Sequence, residues 1–144
     1  MRKFHHFRTL IVSASVLALA GGIVSAQVKK GKTRLMKTSQ LMKALTKPNC
    51  DAVKKGLEAG PANDEEWQRL AASAAVLNES SYILMDDDRC PDDVWANAAS
   101  KILRQGSADL VAALEAKDAA AAKTAFGSMT KSCKACHEKH KPKK

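Results

Sequence analysis

Near the C-terminus, Cys133-Lys134-Ala135-Cys136-His137 sets two thiols and an imidazole at fixed spacing. Residues three apart on a helix share a face, so Cys133 and Cys136 would present their sulfurs side by side, with His137 immediately after. Two thiols so placed can add to the two vinyl groups of one porphyrin as thioethers. A neutral imidazole nitrogen can then reach the iron as an axial ligand. C-x-x-C-H is the attachment sequence of a c-type haem, and the expectation is one haem c, covalent through Cys133 and Cys136, with His137 on the metal. Two rivals use the same residues. A redox-active C-x-x-C wants a strand–turn–helix context, whereas this one sits near the end of a helical tail. A zinc site from Cys133, Cys136, His137 and His140 would need four tetrahedral ligands from one short segment, which is cramped.

The opposite end of the chain agrees with haem. Arg2, Lys3 and Arg8 precede an apolar run from Leu10 to Val24, and Val24-Ser25-Ala26 offers small residues before Gln27. That is the pattern of a secretory signal peptide. The run of about 15 residues is shorter than the ~20 of a bilayer span. The expected organisation is therefore a signal peptide over 1–26 and one domain over 27–144, delivered to the periplasm without stable membrane insertion. Covalent haem attachment takes place in the same compartment. The formal charge of +9 falls by the three signal-peptide cations and stays positive. This favours solubility and steering toward an acidic partner. It does not suggest nucleic acid, because the lysines are not interleaved with aromatic residues.

Residues 27–144 read as helices. Alanine is abundant, β-branched residues are sparse, and no alternating strand pattern appears. A first helix is expected from Thr33 to Thr46 with Leu35, Met42 and Leu45 on one stripe, interrupted by Pro48 and resuming through Leu57. Gly60-Pro61 is a break. Asp64 is expected to cap a second helix to about Met85, with Trp67, Leu70, Ala71, Ala74, Leu77, Ser81 and Leu84 on its inner face. After a polar loop over 86–92, Pro91 is expected to open a third helix with Trp95, Ala98, Ile102, Leu110, Ala113 and Leu114 inward. Asp118 caps a fourth, whose stripe is Ala122, Phe126, Met129, Cys133, Cys136 and His137. Short connections make this an all-α, antiparallel up-down-up-down four-helix bundle, a fold that places cofactors between facing helices.

Four helices, Trp95 near the start of the third, and the run AFGSMTKSCKACHEKHK from Ala125 to Lys141 resemble the cytochrome c′ family over essentially the whole mature chain. The resemblance implies a haem at one end of the bundle with the first helix over its distal face. Some members are five-coordinate and bind nitric oxide or carbon monoxide; others present a methionine as sixth ligand and carry electrons. A catalytic role has little support, since no distal His–Arg pair is evident. Met42 in QLMKAL best matches the methionine ligand. Aligning Lys55-Gly56 without gaps puts Gln40 there instead, and a two-residue shortening around Pro48 restores Met42. Helical periodicity sets Met42 on the apolar stripe and turns Met36 away, while core packing remains the alternative for Met42. Thr38 stands where relatives carry a distal arginine. The expectation is an electron carrier, with a gas-binding protein as the alternative. A homodimer is compatible with it.

Several residues lie outside that scheme. Cys50 and Cys90 remain once haem takes two thiols, and an even remainder in an oxidising compartment suggests a disulfide. Asp86-Asp87-Asp88 lacks the spacing and glycine of a calcium loop and reads as a solvated loop. His140, in place of an aromatic residue common in relatives, is expected to be exposed at the helix end. Lys131, Lys134, Lys139, Lys141, Lys143 and Lys144 surround the haem-bearing end, either as a docking ring for an acidic redox partner or as solubilising charges.

Overall fold

A computed structural model describes residues 31–141. The expected signal peptide, Lys143 and Lys144 lie outside them. Four helices follow in chain order. Helix α1 is continuous through Thr38–Leu41, a π-helical turn Met42–Thr46 and Lys47–Ala59. Helix α2 is Asp64–Met85. Helix α3 runs through Asp93–Ala96, a π-helical stretch Asn97–Leu103 and Arg104–Glu115. Helix α4 is Ala119–His140. They form the expected four-helix bundle. Helix α2 packs along α3, α3 along α4, and α1 against α2, while among neighbouring helices α1 and α4 touch least. A gap is therefore left between the first and last helices.

The boundaries follow local chemistry. Asn63, rather than Asp64, caps α2, its side chain accepting from Glu66 N at 2.9 Å. Asp64, Glu65 and Glu66 fill the first turn, where negative charge suits the helix dipole. Helix α3 opens at Asp93 rather than Pro91, because the Asp92 carboxylate accepts from Trp95 N at 3.0 Å. Asp118 caps α4 through Ala120 N and Ala121 N, as expected. Gly60, at φ 78°, ends α1.

The core is close to the one read from periodicity: Leu70, Ala74, Leu77, Leu84, Trp95, Leu110, Leu114, Ala122 and Met129 are buried. The start of α1 is not. Leu35 precedes the helix and is 80% exposed. The segment before α1 is instead held by the loop after α2. Asp87 accepts from Thr33 N at 2.7 Å, Thr33 Oγ1 at 2.8 Å and Arg34 N at 2.8 Å, and Arg34 pairs with Asp86. The aspartate run thus includes a tether, rather than being only a solvated loop. Pro48 does not break α1. Directly before it, Lys47 N bonds to Met42 O, five residues back, and the wider turn absorbs a residue that can neither donate nor tolerate a normal i−4 carbonyl.

Candidate functional site

The gap between α1 and α4 opens into a cavity of about 460 Å³, within the range of small-molecule sites. Its walls come from three helices and the end of a fourth. Met42, Thr46 and Cys50 stand on α1; Trp95, Ala98, Ala99 and Leu103 on α3; Cys133, Cys136 and His137 on α4; and Leu84 closes the end. Both π-helical segments contribute to it, the first through Met42 and Thr46, the second through Ala98, Ala99 and Leu103. Such turns recur at functional sites because the extra residue redirects side chains. Periodicity at 100° per residue cannot foresee them.

The structure brings together all four sequence-derived site residues, Cys133, Cys136, His137 and Met42. Gln40, the other register candidate, is exposed, and its side chain is taken up accepting from Lys37 N at 2.8 Å. Met36 is 44% exposed, ahead of the helix and off the cavity wall. Thr38 is buried.

The electrostatics suit a thiol–imidazole site facing an apolar space. Burial, with a further contribution from Cys133, pushes the Cys136 thiol up to about 11. Burial, and then the charge of Lys141, lowers the His137 value from its ordinary 6.5, which favours the neutral imidazole a metal requires. Apolar walls, two thiols on one face and a neutral imidazole beside them fit a covalently bound haem. Among the described residues, no group of three or more His, Cys, Asp or Glu side chains is placed to hold a bare metal ion, so the geometry assembles neither the zinc rival nor a calcium loop.

Two expectations are corrected here. Cys50 and Cys90 are free thiols, not a disulfide. Cys50 lines the cavity near Cys133, while Cys90 Sγ lies 3.5 Å from Asp92 O, so each thiol is turned to a different neighbour. His140 is not exposed: its side chain is 9% accessible and engages Asp92. Of the lysines around the motif, Lys139 pairs with Asp92 and Lys134 with Glu138. Lys43 and Lys47 stand on the opposite rim of the cavity, which composition around the motif could not reveal. No helix among the described residues is long and apolar enough to cross a membrane.

A family model described as Cytochrome C' matches residues 23–141. No curated protein and no solved structure matches the chain.

Proposed function

The chain belongs to the cytochrome c′ family, and from that premise we propose that it is a periplasmic electron carrier whose haem c is bonded through Cys133 and Cys136 and ligated by His137 and Met42. The observation that supports this reading is the shared cavity: a methionine on α1 faces the same apolar space as the C-x-x-C-H turn of α4. Haem supplies one-electron exchange between Fe(III) and Fe(II). The protein's own residues set its conditions. Neutral His137 offers a nitrogen lone pair, and a thioether from Met42 would favour the reduced state and raise the potential. Trp95, Ala98, Ala99 and Leu103 form an apolar wall of the same space.

The proposed role is electron transfer rather than turnover of a substrate. The partner is proposed to be acidic. Lys43 on one rim and Lys141 on the other present positive charge around the opening, while Lys47 is paired with Asp51, and such charge steers encounter more than it adds affinity.

Substitution of Met42 tests the reading. Met42→Ala should open a coordination position, turn the ferrous iron high-spin, accelerate carbon monoxide binding and lower the midpoint potential. Met36→Ala should change none of these, because its side chain lies away from the cavity. If Met42→Ala left spin state and carbon monoxide kinetics as in the wild type, Met42 would be a packing residue and the gas-binding reading would replace electron transfer.

A further inference from the structure

One turn beyond His137, the end of α4 is fastened to the start of α3. His140 Nε2 lies 3.2 Å from Asp92 Oδ1. Its ring meets Trp95 edge to face, with centroids 5.4 Å apart and planes at 77°. Both oxygens of Asp92 are used: Oδ1 also accepts from Trp95 N at 3.0 Å, and Oδ2 pairs with Lys139 Nζ at 2.7 Å. Trp95 is 1% exposed, lines the cavity, and donates from Nε1 to Leu84 O at 2.8 Å. A single carboxylate thus caps α3 and grips two residues of the last turn of α4.

That turn would otherwise be poorly held. The last carbonyls of a helix lack intrahelical partners, and helix ends open at low free-energy cost. His137 lies within the same turn, and i,i+3 neighbours on a helix share a face. Any tilt or fraying after Ala135 would carry the imidazole with it. Ligand geometry tolerates little such movement, and the partners behind a ligand set its orientation.

We infer that Asp92 and His140 are positioning residues for the axial ligand, holding the His137 turn of α4 against Trp95 so that the imidazole meets the iron in one fixed orientation. The inference rests on the haem reading above. Charge-assisted hydrogen bonds to Asp92 supply the hold, and the hydrogen bonds from Lys139 and from Trp95 N keep its carboxyl at about 2, ionised throughout the physiological range.

The test uses the mature haem-bearing protein. Asp92→Asn keeps a competent helix cap but loses the charge; His140→Ala removes the grip; His140→Gln retains an amide donor. Lys117→Ala is the control, since it breaks the 2.7 Å Lys117–Asp64 pair elsewhere in the chain. Two haem-dependent quantities are read: the paramagnetic NMR shifts of the His137 ring protons in the ferric state, and the midpoint potential. Amide hydrogen exchange over residues 137–141 is read beside them. His140→Ala and Asp92→Asn should move the ring-proton shifts and the potential and speed exchange in the turn, His140→Gln should restore part of each, and Lys117→Ala should move none. Faster exchange with unchanged ring shifts and potential would show that the cluster merely staples the helix, and would overturn the inference. Equal movement by Lys117→Ala would overturn it too. Failure of the underlying haem reading looks different: the wild type itself would lose its haem on denaturing electrophoresis.

Discussion

Cys133, Cys136 and His137 do separate jobs from adjacent positions. In the proposed reading the two thiols would fix the porphyrin in place and the imidazole would set the iron's electronics. Cys133→Ala or Cys136→Ala should leave at most one thioether, and the double variant none; haem staining after denaturing electrophoresis, with the mass of each chain, checks this. Asp92 carries a pH signature. Its folded-state carboxyl sits at about 2 against an ordinary 3.8, chiefly through the hydrogen bond from Lys139 and then that from Trp95 N. The unfolded chain therefore takes up the proton first as pH falls. The contribution of Asp92 to stability is complete above 3.8 and disappears as pH drops through about 2. Urea midpoints measured down this range should fall less steeply for Asp92→Asn than for the wild type. The C-x-x-C-H motif that lines the cavity was legible in the sequence because porphyrin chemistry fixes its spacing. The environment of His140 was not, because its partner Asp92 is 48 residues away and nothing local announces it. The free state of Cys50 escaped for a related reason: pairing by elimination counts cysteines but does not say which wall each one faces.

At the scale of elements, helical stripes carried most of the fold. Leu70, Ala74, Leu77 and Leu84 of α2, and Ala122 and Met129 of α4, are buried as periodicity requires. The exceptions lie where period 3.6 fails. The π-helical turns at Met42–Thr46 and Asn97–Leu103 each widen the helix, so Leu103 is buried while Ile102, the residue expected inward, is only half-buried. Leu35 belonged to no helix at all, because Lys37 and Gln40 start α1 with reciprocal backbone and side-chain bonds at Thr38. The contact of α3 with α4 depends on Gly106. A methyl group there would stand 2.8 Å from Met129 Cα and 3.0 Å from Met129 N, backbone atoms that cannot swing aside. Gly106→Ala should destabilise the bundle by about 1–3 kcal/mol, the usual cost of overpacking a core, despite alanine's better helix propensity. Equilibrium urea unfolding measures it, and a neutral or stabilising result would mean that the two helices do not approach as closely as described.

The whole molecule joins a tight side to an open one. All four helices contribute to one core, Leu41, Val53 and Leu57 from α1 among it, but α1 leans chiefly on α2 and leaves a cavity facing α4. The redox site reading depends on that asymmetry. If all four helices packed equally, there would be no room between Met42 and the C-x-x-C-H turn. Fold class and the identity of the two walls could be read from the chain, whereas the cavity itself depends on the π-helical turns and could not. The optical spectrum of the purified wild-type protein, ferric and ferrous, with and without carbon monoxide, tests the account most directly. The predicted result is low-spin iron in both oxidation states, a weak far-red sulfur-to-iron band in the ferric form, and slow carbon monoxide binding limited by loss of the Met42 thioether. High-spin iron that takes up carbon monoxide at once would contradict the account and leave Met42 as the packed floor of an open gas-binding pocket.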